Sequence, residues 1–230
     1  MSETSVPGSG SAFYYGMDIS LYPGDIVMQA WWNASPFCYT GFYLAPAPYH
    51  RDASWMSKRQ VLLNQGWGFM PVYVGRQADS SYLDTETGAN EADQAASLAR
   101  CAGFPCQTTI FLDIETPHPL TGRYLAYVVV WVNELRNKGY QAGIYCNAEN
   151  ASQIKGILFG SVEFWVAHYI GCDLPSSIPS PACSGVSFAG IWQFSGDRNI
   201  TYGGYPIAVD LNTSIYTDPS MRSRNLINKR

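Results

Sequence analysis

Eight short strand-like segments constrain the fold of this chain more than any other feature. They begin near Tyr14 (YYGMDIS), Tyr39 (YTGFYLA), Gly68 (GFMPVYVG), Thr109 (TIFLDIE), Gln141 (QAGIYC), Phe164 (FWVAHYI), Ser187 (SFAGIWQF) and Ile207 (IAVDLN). Helical patterns fall between most of them. A short amphipathic stretch covers 55–64, and Ala92, Ala95, Ala96 and Ala99 form a small-residue stripe over 90–102. Leu125, Val128, Val129, Val132 and Leu135 stand at helical spacing over 124–138, with Gly139 as a stop signal. A weaker helix is expected over 150–159, and the last two intervals are Gly/Pro loops. This alternation predicts an α/β fold, a single (β/α)8 TIM-type barrel with an irregular, helix-poor C-terminal third. A doubly wound open sheet is the alternative, but the chain lacks the Gly-rich first turn such a sheet normally carries. The barrel is expected over 13–217, between a flexible N-terminal tail (1–12) and a basic C-terminal tail (218–230) that holds Arg222, Arg224, Lys229 and Arg230.

Four carboxylates fall at the ends of these segments: Asp18, the pair Asp113 and Glu115, and Asp210. In an extended strand, residues i and i+2 face the same way, about 7 Å apart. Asp113 and Glu115 therefore share a side with Phe111, while Ile110, Leu112 and Ile114 take the face buried against helices. The same parity puts Gly16, Asp18 and Ser20 opposite Met17 and Ile19, Tyr43 opposite Phe42 and Leu44, and Tyr73 and Gly75 opposite Val72 and Val74. The pattern predicts polar or tyrosyl residues inside and aliphatics outside. Barrel active sites lie at the C-terminal ends of the strands, where all four acids fall. Clustered carboxylates repel and raise at least one pKa, which suits general acid chemistry on a glycosidic bond.

Composition removes several other functions. The net charge of −4 carries no basic signature for nucleic acid. The longest apolar run, Ala126 to Val132, is far too short for membrane insertion. With three His and no C-x-x-C, no metal site and no cofactor are expected. Six cysteines allow about 15 pairings, of which Cys101–Cys106 and Cys172–Cys183 are the expected local disulfides. The first ten residues have neither a basic n-region nor an apolar h-region, so no signal peptide is expected. The 16 Tyr and 7 Trp exceed what a core needs and suit a carbohydrate or peptide groove.

Gly16-Met17-Asp18-Ile19-Ser20 with Gly24-Asp25, and Asp113-Ile114-Glu115, resemble motifs of the glycoside hydrolase family 25 lysozymes. So do Trp165-Val166-Ala167-His168-Tyr169, Ile191-Trp192-Gln193-Phe194-Ser195 and Val209-Asp210-Leu211-Asn212, in the same order along the chain. Gly41 to Pro46 and Pro71 to Gly75 depart from that pattern and look more like a related glycoside-hydrolase-like group of formerly unknown function. The resemblance, over roughly residues 14–216, implies hydrolysis of peptidoglycan or a related amino-sugar polymer by a monomeric protein acting outside the cytoplasm. It implies Glu115 as general acid, with Asp113 orienting it or stabilising a positive intermediate or the substrate acetamido group. Asp18 and Asp210 would position the sugar or the water. Tyr43, Tyr73, Tyr145, Trp165, Tyr169 and Trp192 would form sugar-stacking walls, and Gln193 would hydrogen-bond the substrate. Retaining and inverting outcomes both stay open.

Other chemistries fit less well. Only His168 lies in a strand, which leaves metal-dependent phosphodiester cleavage short of ligands, and His118 belongs to a solvated loop. No G-x-S-x-G elbow marks a serine nucleophile, and Cys146 has no assignable His partner. The competing function is a catalytically inactive carbohydrate- or cell-wall-binding barrel.

Overall fold

A computed structural model describes residues 13–81 and 83–223. Eight strands close into one barrel in sequence order: β1 (Tyr14–Asp18), β2 (Phe37–Tyr43), β3 (Gly68–Tyr73), β4 (Thr109–Asp113), β5 (Gln141–Asn147), β6 (Glu163–Ala167), β7 (Ile191–Tyr202) and β8 (Tyr205–Ser214). Pairing is parallel from β1 through β7, while β8 runs antiparallel to both β7 and β1. The reversal has a local cause. Gly203 and Gly204, both at positive φ (57° and 84°), turn the chain directly from β7 into β8. A two-residue hairpin leaves no room for the crossover that a parallel strand needs.

Five helices cover the outside: α1 (Asp25–Ala34), α2 (Arg59–Gln65), α3 (Thr85–Cys101), α4 (Gly122–Asn137) and α5 (Ala148–Lys155). The sequence pattern does not mark α1, whose buried side chains are Met28 and Trp31. α3 begins earlier than its alanine stripe suggests, because the Asp84 side chain caps it by accepting from Thr87 N at 2.7 Å. Ala92, Ala95, Ala96 and Ala99 are buried as expected and bring α3 close to the sheet. After α5, the described residues hold only one 3₁₀ turn at Pro181–Ser184, which matches the helix-poor final third.

Two apolar layers result. One fills the space between sheet and helices, and the other fills the barrel with Tyr39, Met70, Val72, Phe111, Trp165 and Ile191. Aromatic rings fit inside because glycines face them. A Cβ at Gly16 would sit in the Tyr39 ring, and one at Gly143 in the Phe111 ring. Gly16→Ala is therefore expected to destabilise the fold by about 3 kcal/mol, since a buried ring cannot move aside. A loss of unfolding free energy of well under half that size, measured by urea denaturation, would show that the interior has slack.

The chain does not become a tail at residue 218. Ser220 N donates to Phe69 O (2.8 Å), Thr109 N donates to Ser220 O (2.7 Å), and Asp218 Oδ1 accepts from Phe69 N (3.1 Å). Residues 218–223 thus close the base of the barrel under β3 and β4, where strand N–H groups need acceptors. The rest of the expected tails, 1–12 and 224–230, lies outside the described residues. The expected disulfides do not form. Cys106 Sγ faces the Gly139 turn while Cys101 ends α3, and neither this pair nor Cys172–Cys183 is bonded. Among the described residues, no helix is long and apolar enough to cross a membrane.

Candidate active site

Antiparallel closure sets Asp18 of β1 directly opposite Asp210 of β8. Facing carboxylates repel, and Gln193 of β7 relieves the repulsion. Its Nε2 donates to Asp18 Oδ2 (3.0 Å) and Asp210 Oδ2 (3.1 Å). Its Oε1 accepts from the hydroxyls of Tyr145 (2.6 Å) and Tyr169 (2.9 Å). Both donors and both acceptor positions of the amide are used, which fixes its orientation. Asn212, paired with Gln193 across β7 and β8, repeats the device. Its Nδ2 donates to Asp18 Oδ2 (2.7 Å), and its Oδ1 accepts from Trp165 Nε1 (2.8 Å). The Tyr43 hydroxyl gives Asp18 a third donor, on Oδ1 at 3.1 Å.

Burial pushes the Asp18 carboxyl up to about 7. Asp210 adds to the rise, and the Asn212, Gln193 and Tyr43 donors oppose it. Asp210 is also raised, chiefly by burial, against a backbone hydrogen bond from Asp197 N at 2.7 Å. Asp113 is raised well above the carboxylate range by burial, then by Glu115 and Asp18. It is 6% exposed, and its Oδ1 has no hydrogen-bond partner among the described residues. Burial therefore favours the protonated form of Asp113, and its Oδ1 has a hydrogen-bonding position to offer.

These shifts fix the sign of a pH effect. A carboxyl whose folded pKa exceeds its unfolded value contributes most below the unfolded pKa, and that contribution is lost as pH rises through the folded one. For Asp18 the window runs from 3.8 to about 7, with Asp113 and Asp210 acting in the same direction. The thermal midpoint is expected to fall as pH rises through this window, and Asp113→Asn should flatten the slope. A midpoint that climbs over the same range in both proteins would contradict the burial argument.

Glu115 stands two residues beyond β4 and is exposed. Gln77, in the loop after β3, fixes the turn that carries it. Gln77 Nε2 donates to Asp113 O (3.0 Å), and its Oε1 accepts from Glu115 N (2.9 Å) and Thr116 Oγ1 (3.1 Å). Glu115 lines a cleft of about 220 Å³ with Ile114, Tyr145, Asn147, Ala167 and Tyr169. Trp165 lies below it, 2% exposed, with its ring 4.5 Å from that of Tyr145.

Two expected walls lie elsewhere. Tyr73 points outward, where its hydroxyl donates to Gln94 Oε1 of α3 (2.5 Å) and its ring packs near Trp131 of α4. The parity of β3 is the reverse of the expected one, with Met70 and Val72 inside a barrel already crowded by Tyr39, Phe111 and Trp165. Trp192 is also outside. Its Nε1 donates to His168 O (2.8 Å), and it packs on Phe194. Adjacent strand residues cannot both face in, and Gln193 takes the inward position. Gln77 lies outside every motif, and Asn212, though it closes the Val209-Asp210-Leu211-Asn212 motif, is given no role by it. Among the described residues, no three His, Cys, Asp or Glu side chains group as metal ligands.

Known proteins share this architecture. A model of the Rv2525c-like, glycoside hydrolase-like domain matches residues 29–214. The structure of the Tat-secreted protein Rv2525c of Mycobacterium tuberculosis aligns with a TM-score of 0.61 at 21% identity, over 86% of this chain and 94% of that one. A family 25 glycosyl hydrolase from Bacillus anthracis aligns with a TM-score of 0.60 at 15% identity, over 87% of this chain and 88% of that one. At such identities the likeness is one of fold. The uncharacterized protein YbfG of Bacillus subtilis (strain 168) is 38% identical over 55 residues, which is 24% of this chain and 8% of that protein.

Proposed function

The chain belongs to the Rv2525c-like, glycoside hydrolase-like domain family, and from that premise we propose that it hydrolyses peptidoglycan or a related amino-sugar polymer as a lysozyme-like muramidase. One observation carries the reading. Glu115 is exposed in the cleft, while Asp18 and Asp113 are buried and Asp210 half-buried beside it. In this reading Glu115 protonates the leaving oxygen. Asp113, kept neutral by burial, donates its O–H to the sugar acetamido group. Asp210 retains partial access to solvent and orients a hydroxyl or the attacking water. Asp18 holds three donors and acts through them as a positioning residue. Tyr145 and Tyr169 flank the sugar. The secreted neighbour supports action outside the cytoplasm.

Purified protein is expected to release reducing ends from peptidoglycan. Binding of glycan strands without cleavage of any amino-sugar polymer would instead make the barrel a carbohydrate-binding module, the competing reading.

A further inference from the structure

A second cleft lies between the loops after β2 and β3 and the 90–94 segment of α3. It encloses about 380 Å³ and is lined by Pro48, Arg51, Arg76, Asn90, Glu91 and Gln94. Glu91 is 5% exposed and holds Arg76 through an ion pair of 2.7 Å. Its Oε2 accepts from the Tyr127 hydroxyl (2.6 Å) and from Arg76 N (3.3 Å), and the Tyr124 hydroxyl donates to Arg76 O (2.9 Å). The buried acid and its tyrosine neighbours therefore fix Arg76 and balance its charge. Arg51 adds a second positive charge and, among the described residues, pairs with no carboxylate. The Oε1 of Gln94 is occupied by the Tyr73 hydroxyl, which leaves its amide N–H groups as donors. The cleft is thus rich in N–H donors and carries an excess of one positive charge.

Its position connects it to the acids. Gln77, which clamps Asp113 and Glu115, directly follows Arg76, so one loop carries both the clamp on the acids and the fixed arginine of this cleft. A planar guanidinium next to amide donors matches a carboxylate. We propose that this cleft is a subsite for a carboxylate carried by the glycan, either on the sugar or on an acidic peptide attached to it. The proposal rests on the barrel being a reader of amino-sugar polymers.

Three soluble oligosaccharides test it by titration calorimetry: a neutral N-acetylglucosamine oligomer, an oligomer with free N-acetylmuramic acid carboxylates, and the latter with those carboxylates amide-linked to alanyl-glutamate. Arg51→Gln is expected to weaken an acidic oligomer about tenfold, the loss of one charge-assisted hydrogen bond, and to leave the neutral one unchanged. Arg51→Lys should recover part of the loss. The acidic oligomer that depends on Arg51 identifies the source of the carboxylate. An equal effect on all three, no effect on any, or no binding of any would overturn the proposal. Arg76 is a poor probe because its removal strands Glu91. Reducing-end release, measured in parallel, tests hydrolysis separately: Arg51-dependent acid binding without release retains the subsite and removes the hydrolase.

Discussion

Glu115→Gln is expected to lower reducing-end release by about 10²–10⁴-fold, the range for loss of a general acid, with glycan affinity and thermal midpoint unchanged. Glutamine keeps the shape of the side chain and removes the transferable proton. The fold should tolerate the change because the turn is tied through the Glu115 backbone N–H and the Gln77 side chain, not through the carboxylate. Release kinetics, oligosaccharide binding and a melting curve on the same preparation check all three statements. If Glu115→Gln cleaves as fast as wild type while Asp113→Asn is inactive, the acid assignment moves to Asp113.

Gln193→Leu is expected to cost roughly 3–5 kcal/mol of stability, as when one partner of a buried charged network is removed. Leucine fills the space but withdraws the donor shared by Asp18 and Asp210 and the acceptor shared by Tyr145 and Tyr169. At about 2–4 °C per kcal/mol for a domain of this size, the midpoint should drop by about 10 °C. The loss should be larger in alkaline than in acidic buffer, because the ionised carboxylates are what the amide N–H groups stabilise. Gln193→Glu offers an independent check. It adds a third carboxylate that can donate only when protonated, so it should approach wild-type stability in acid and fall far below it in base. A pH-independent cost for both variants would show that Gln193 only fills volume.

Much of this was written locally in the chain. Met17 and Ile19 against Gly16 and Asp18, and Ile110, Leu112 and Ile114 against Phe111 and Asp113, each mark one face, and the barrel keeps both assignments. β3 offers no such contrast. A strand of a parallel barrel is buried on both faces, so GFMPVYVG is apolar throughout and its direction depends on which interior space the other strands leave. The antiparallel β8 had a visible cause in Gly203-Gly204, a known hairpin pair. Gln77 had none, because its contacts with Asp113 and Glu115 bridge 36 and 38 residues. Asn212 shows the middle case: its strand was legible, but its bond to Asp18 spans 194 residues and depends on closure of the barrel.

The β7–β8 hairpin runs past the barrel rim and lies on α1, with Trp31 Nε1 donating to Tyr205 O (2.9 Å) and Tyr202 packed on Trp31 and Phe37. This ribbon brings Asp210 and Asn212 to an acid that sits near the start of the chain. During synthesis the order of events follows. A growing chain that has reached Gly204 already contains Asp18, Asp113, Glu115 and Gln193, yet it has no partner strand to close β1 and no opposing carboxylate. The site comes into being with β8, after every other strand of the barrel has been made.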